Sequence, residues 1–350
     1  MTKILMPYYT PKNVSKIRNI ETDTIILGGI ERFEKHIYDH IDGIVPIHIG
    51  NDENYKMVME QAIAEHDIDM ILMNNMKKGV TTLNLGVPVV FVVHDGLMRG
   101  MSVLSLMPSL LRFKENGAHI YFVSEFQKDY FDDFSLRSQG KKIGDIQGYL
   151  SPSYCLDSFH STPEFDYDLS TVGRFAQDKD PFFIHRNTSM DIDALVMTNI
   201  PKSPNKSDAP YINRHKNIGR SVKYGLKHDE VMHNLRHSGV FCSTWPCESW
   251  GITAMEALGN GVPTILVTDK YDYHASETIA ASSLHYTKVK KKSSVDEIDS
   301  VVKHLLKTST PTMREEISGM TKEKNSLKNW KAKMDAMVDR RMSDTPNTLF

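Results

Sequence analysis

Two carboxylates, Glu248 and Glu256, stand eight positions apart in the stretch Cys247-Glu248-Ser249-Trp250-Gly251-Ile252-Thr253-Ala254-Met255-Glu256. If both were helical, eight steps of ~100° would put them roughly 80° apart after two full turns, on nearby faces. The alternative is that Glu248 lies in a loop feeding the helix. The backbone N–H groups of Gly251, Ile252 and Thr253 would then lack intrahelical partners and would point at whatever sits before the helix. An anion such as a diphosphate fits there, with a carboxylate on either side to hold hydroxyls. That is the chemistry a nucleotide sugar asks for.

Other residues offer matching chemistry. Arg174 and Lys179 follow an apolar stretch that ends at Gly173. Two cations in a loop at a strand end can neutralise a diphosphate as it leaves, or simply solvate a surface turn. His94 and Asp95 end the apolar run Val89–Val93, where a His can hold or shuttle a proton and an Asp can accept one; the same pair can also merely terminate a strand. Gly28-Gly29 stands between an apolar stretch and a helical pattern. Glycine there lets backbone N–H groups approach a phosphate, or serves only the steric needs of the turn.

The net charge is −2, yet basic residues are grouped: Lys202, Lys206, Arg214, Lys216 and Arg220 in one stretch, and Lys288, Lys290, Lys291 and Lys292 in another. Such faces can bind a polyanion in a chain of balanced charge, or be solvated loops. The cysteines Cys155, Cys242 and Cys247 form neither a metal spacing nor a disulfide framework, and Cys247 reads as a packing residue. His233 and His237 are an i, i+4 pair without a third ligand nearby, which argues for a solvated helix face over a metal hydrolase.

These residues need a scaffold. At 350 residues the chain suggests two domains, and 40% apolar with 25% charged content is ordinary for a globular protein. No long apolar run or signal-peptide pattern is present, so the expected location is cytoplasmic, the host cytoplasm if the source is a phage. Apolar runs at Met70–Met73, Val87–Val93, Ile120–Val123, Leu169–Gly173, Ala194–Met197, Val240–Ser243 and Thr264–Val267 read as strands. Helical periodicity marks 30–41, 103–114, 253–259, 296–307 and 313–342, while 199–221 reads as a long loop. Alternating strands and helices predict an α/β chain of two Rossmann-like, doubly wound parallel sheets, with ligands outside the strands' carboxyl ends and a cleft between the domains. The expected divisions are an N-terminal domain over 1–165, rejoined by a returning helix from 313 to 350, and a C-terminal domain over 166–312.

Taken together, Gly28-Gly29, Gly173-Arg174 with Lys179, and the Glu248-to-Glu256 block with Gly259-Asn260-Gly261-Val262-Pro263 behind it resemble the retaining GT-B glycosyltransferases that carry a Glu-x7-Glu motif. The resemblance spans roughly residues 25 to 290. It implies a UDP-sugar donor in the C-terminal domain and an acceptor on the N-terminal one. Glu248 and Ser249, with the backbone of Gly251, Ile252 and Thr253, would bind sugar or phosphate. Glu256 would hold the ribose, Arg174 and Lys179 would stabilise the departing diphosphate without a metal or cofactor, and His94 would contact the sugar's reacting face. Retention would follow from front-face attack assisted by the leaving phosphate. Trp250 departs from the family pattern, which has Phe there, and Pro201 to Lys216 stands where a compact strand and turn are usual.

Val92-Val93-His94-Asp95 followed by Ser102-Val103-Leu104-Ser105-Leu106 is similar to a part of the T-even phage DNA α-glucosyltransferases. That likeness implies 5-hydroxymethylcytosine in duplex phage DNA as acceptor. Asp95 would be the base, Lys202, Lys206, Arg214, Lys216, Arg220, Lys290 and Lys291 would contact DNA, and the target base would be flipped. Such an enzyme is expected to be a monomer with no membrane contact. The competing readings are a polysaccharide or lipid-linked-sugar transferase, and a non-catalytic nucleotide-sugar or DNA-binding module.

Overall fold

The computed structural model describes residues 1–8, 29–49, 54–74, 85–94, 100–140, 160–174, 179–198, 221–246, 248, 250–269 and 274–343. The chain falls into two units, Met1–Tyr154 with Leu327–Phe350, and Cys155–Ser326.

In the first unit, β1 (Ile4–Tyr8), β2 (Ile44–His48), β3 (Met70–Met73), β4 (Val89–Val93) and β5 (His119–Phe122) form a parallel sheet in the order β2-β1-β3-β4-β5. Helices α1 (Gly29–His40), α2 (Tyr55–His66), α3 (Gly100–Glu115) and α4 (Glu125–Gln139) follow β1, β2, β4 and β5 in the chain. β1, β3 and β4 are buried along their whole length, which is why they read as unbroken apolar runs. Phe33 and Ile37, one turn apart on α1, are buried, and the core gathers Leu5, Ile71, Phe91, Phe113 and Phe131. Local signals set the helix ends. Asn54 accepts the Met57 amide before α2 at 3.3 Å, and Ser124 accepts the Gln127 amide before α4 at 3.2 Å.

In the second unit, β6 (Tyr167–Val172), β7 (Ala194–Thr198), β8 (Val222–Tyr224), β9 (Ser238–Ser243), β10 (Thr264–Thr268) and β11 (Tyr286–Lys290) form a parallel sheet in the order β11-β10-β9-β6-β7-β8. Its helices are α5 (Phe183–Asn187), α6 (His228–Arg236), α7 (Ile252–Gly259), α8 (Val295–Thr308) and α9 (Pro311–Lys324). The final helix, α10 (Leu327–Ser343), belongs to the first unit. α8 opens on a capping box, in which Ser294 Oγ accepts the Glu297 amide and Glu297 accepts the Ser294 amide.

The terminal segment differs from expectation. Instead of one helix over 313–342 returning to the first domain, there are two, separated at Asn325 and Ser326. Thr310 caps α9 and Pro311 occupies its first turn. α9 stays with the second unit, packing on α7 through Ser318 Oγ, which donates to the Gly259 carbonyl at 2.6 Å. The two compact units meet in the chain at 154/155 and at 326/327. Elements β2, α2, α4, α5, β8 and β11 have no counterpart among the elements expected from periodicity. Pro46 sits inside β2, which is tolerable because β2 is an edge strand. The expected loop over 199–221 lies outside the described residues except for Ser221.

Candidate functional site

In a doubly wound sheet, the crevice lies where the strand order reverses. In the second unit that point falls between β6 and β9. Lys179, beyond the carboxyl end of β6, and Glu248, beyond that of β9, meet there: Nζ donates to Oε2 at 2.8 Å, with each side chain about a quarter exposed (24% and 23%). Such a charge-assisted contact in a partly desolvated place is strong for its kind. Lys179 Nζ also lies 5.1 Å from the centre of the Trp245 ring, and the Lys179 carbonyl accepts from Thr244 Oγ1 at 2.8 Å. The two strand-end loops are thus tied together by side chain and by backbone. Gly173 continues β6, its amide donating to the Met197 carbonyl at 3.1 Å, and a Cβ there would be in ordinary contact with Pro181 and Lys179. Arg174, the next residue, is exposed.

Glu248 lies outside the helix, so of the two arrangements open to the sequence the loop is the one adopted. Gly251 is the N-cap of α7, at φ 93 in the left-handed region, and a Cβ there would overlap Ser276 Oγ. Only glycine fits on both counts. Ile252 and Thr253 form the first turn, with N–H groups that have no intrahelical acceptor. Glu256 follows one turn later, 1% exposed, its Oε1 3.9 Å from His228 Nε2 at the start of α6. A carboxylate so buried in an apolar helix needs polar company, and His228 is part of it. Gly261, at φ 76, ends the segment against the Arg314 backbone, where a side chain would collide.

The turn after β10 is the third wall. His274 is buried there, with Ser243 Oγ 3.2 Å from Nε2. Burial lowers its pKa to about 4, partly opposed by the charge of Glu248 and the backbone of Trp245, while Lys179 adds to the lowering. Sequence reasoning missed Thr244, Trp245, His228, His274 and Ser276. The rule that ligands gather at strand carboxyl ends would have flagged 244–245 and 274–276, once β9 and β10 were placed.

In the first unit, His94 stands at the end of β4. Its Nε2 lies 3.2 Å from Oδ1 of the buried Asn74, at the end of neighbouring β3, and its ring meets Phe33 edge-on at 4.7 Å. Burial pushes its pKa down to about 3. At neutral pH the ring offers hydrogen bonds rather than a stored proton. Gly29 begins α1. Lys290 ends β11, the edge strand, and Lys291 follows it; Lys288, Lys290 and Lys291 are exposed, and Lys288 pairs with Glu277 at 3.3 Å. Exposed lysines also keep a sheet edge from pairing with another chain. Gly28, Asp95, Lys202, Lys206, Arg214, Lys216, Arg220, Cys155, Cys247 and Ser249 lie outside the described residues. His237 Nδ1 faces the His233 carbonyl at 2.9 Å, and among the described residues no group of three or more His, Cys, Asp or Glu is placed to hold a metal ion.

The fold and this arrangement define the class of protein the chain is similar to. A sucrose-phosphate synthase from Thermosynechococcus elongatus matches with a TM-score of 0.73 at 11% identity, over 98% of this chain and 100% of its own. A glycosyltransferase from Rickettsia africae matches with a TM-score of 0.68 at 11% identity, over 98% and 99%. The pneumococcal O-GlcNAc transferase GtfA, solved with UDP and GlcNAc, matches with a TM-score of 0.59 at 11% identity, over 83% and 60%. No protein-family model and no curated protein sequence matches the chain. The chain therefore has the α/β fold of GT-B glycosyltransferases, with two parallel sheets flanked by helices.

Proposed function

We propose that this chain is a glycosyltransferase that moves a sugar from a UDP-sugar to an acceptor hydroxyl with retention. The observation that carries the reading is the Lys179–Glu248 pair at the β6/β9 reversal, beside a helix whose first turn has open amides and whose next turn bears buried Glu256. A nucleotide sugar has a diphosphate between two polyhydroxylated rings. Lys179 and Arg174 supply cations for the diphosphate, and the Ile252 and Thr253 amides add backbone donors. Glu248 accepts from the sugar hydroxyls and Glu256 from the ribose. The bond from the anomeric carbon to the phosphate oxygen breaks, and the acceptor oxygen joins on the same face. Its proton passes to Asp95 or to the leaving phosphate.

For the first unit we propose the acceptor role, with 5-hydroxymethylcytosine in duplex DNA as the acceptor. What supports the first unit is its Val-Val-His-Asp likeness; what supports DNA is the grouped basic residues of the second unit, of which Lys290 and Lys291 are exposed. The test is transfer from a panel of labelled UDP sugars to hydroxymethylated and unmodified duplexes at several salt concentrations. Transfer only to the hydroxymethylated duplex, weakening steeply with salt, is expected. Absence of UDP release with every donor overturns the transferase reading. UDP release without DNA labelling or salt-sensitive DNA binding overturns the DNA acceptor alone. Flotation with anionic vesicles would then favour a lipid-linked acceptor.

A further inference from the structure

His274 belongs to no motif, yet it is completely buried beside the Lys179–Glu248 pair. The Ser276 amide donates to its Nδ1 at 3.2 Å, in the 3-10 turn Ala275–Thr278. An amide can only donate here, so Nδ1 is the acceptor and the proton of the neutral ring stands on Nε2. That nitrogen reaches back to Ser243 Oγ, the last residue of β9, while the Trp245 backbone also hydrogen-bonds to the ring. Ser276 then reaches forward: its Oγ donates to the Trp250 carbonyl at 3.1 Å, and its side chain closes against Gly251. The loop carrying Glu248 is thereby gripped before it, at Ser243 and Trp245, and after it, at Trp250 and Gly251.

We infer that His274 is a positioning residue for the donor site, acting through Ser243 and Ser276 to set the loop that bears Glu248 and the first turn of α7. This rests on the donor-site reading above. The groups that face or flank the imidazole are Ser243 from β9, the Trp245 backbone, Glu248 and Lys179; Glu277 accepts from His274's own backbone N–H at 2.9 Å. Burial keeps the ring neutral, with a pKa near 4, so the bridge is intact through the neutral range. Protonation would place a second proton on Nδ1 and expel the Ser276 amide.

The test uses full-length His274→Asn, Ser243→Ala and the double variant. Asparagine can still accept the Ser276 amide where Nδ1 stands, but it is too short to reach Ser243. UDP affinity is measured by titration calorimetry, and amide exchange is followed over 245–253 and 275–278. Each single variant is expected to weaken UDP about tenfold, the loss of roughly one buried hydrogen bond. Exchange should quicken over 245–253 while 275–278 stays protected, and the double variant should be no worse than either single one. Unchanged affinity and exchange in both single variants, or losses that add fully, overturn the inference. If His274→Asn does not fold, Ser243→Ala decides by the same two readouts. If the wild-type chain binds no UDP, the donor-site reading fails, and exchange over 245–253 still decides whether His274 positions the loop.

Discussion

The chemistry proposed for the second unit rests on a few side chains that hold one another. Lys179 is oriented by Glu248 and by the Trp245 ring, so it stands ready for an anion without first being ordered. Lys179→Met is expected to lower kcat/KM for a UDP-sugar by about 10²–10³-fold, the usual loss on removing a donor that stabilises developing charge. Glu248→Gln should lower it less, because an amide still hydrogen-bonds hydroxyls; steady-state kinetics with the preferred donor measures both. Gly251 is a separate case, in which backbone geometry and packing coincide. Gly251→Ala is expected to destabilise the fold by about 1–2 kcal/mol from the left-handed conformation alone. The overlap with Ser276 should add to that, and Ser276→Ala should recover only the steric part. Urea unfolding of Gly251→Ala, Ser276→Ala and the double variant separates the two contributions.

At the scale of elements, α7 depends on its neighbour α9. Arg314 of α9 is 0% exposed, and its guanidinium donates to the Ser238 carbonyl at 3.0 Å and the Arg236 carbonyl at 2.8 Å. Burial brings its pKa down to about 10, so it keeps its charge at neutral pH. The Arg314 side chain thus ties the C-terminal end of α6 and the start of β9 to α9. Arg314→Met keeps much of the apolar stem but leaves two carbonyls without donors. A loss of about 2–4 kcal/mol is expected, read from denaturant midpoints. Thr310→Ala removes only the cap of α9, whose hydroxyl accepts the Met313 amide at 3.2 Å. It should cost about 1 kcal/mol.

For the whole molecule, acid is the informative variable. Burial holds His94 and His36 at pKa values of about 3 and His274 at about 4, against an ordinary 6.5; for His36, the neighbouring His40 adds to the lowering. Between those values and 6.5 the unfolded chain binds more protons than the folded one. Stability contributed by these rings is therefore complete above pH 6.5 and is lost progressively as pH falls toward 3–4. The three tryptophans allow each unit to be followed, Trp330 in the first, Trp245 and Trp250 in the second. Thermal unfolding by fluorescence of single-tryptophan variants is expected to show both melting temperatures falling from pH 7 to pH 4.5. His94→Gln should flatten the dependence of the first unit only. An unaltered slope in that variant would assign the acid sensitivity to other groups.

The sequence by itself determined most strands of both sheets. Parallel strands buried on both faces must be apolar throughout, as Met70–Met73 and Val89–Val93 are, and such runs are readable without any partner. For the start of α7 it left two arrangements open, a helix running through Glu248 or a loop feeding it, and the fold adopts the loop with Gly251 as the N-cap. It did not show the break between α9 and α10, since Asn325 and Ser326 are only weak stop signals and the packing of α9 on α7 decides where the chain turns. Nor did it show that Lys179, 69 positions from Glu248, pairs with it, or that His274 supports them both. Periodicity and caps are local properties. Which loops meet at a sheet's carboxyl end depends on strand order, and strand order is set by pairing between distant segments that no local pattern encodes.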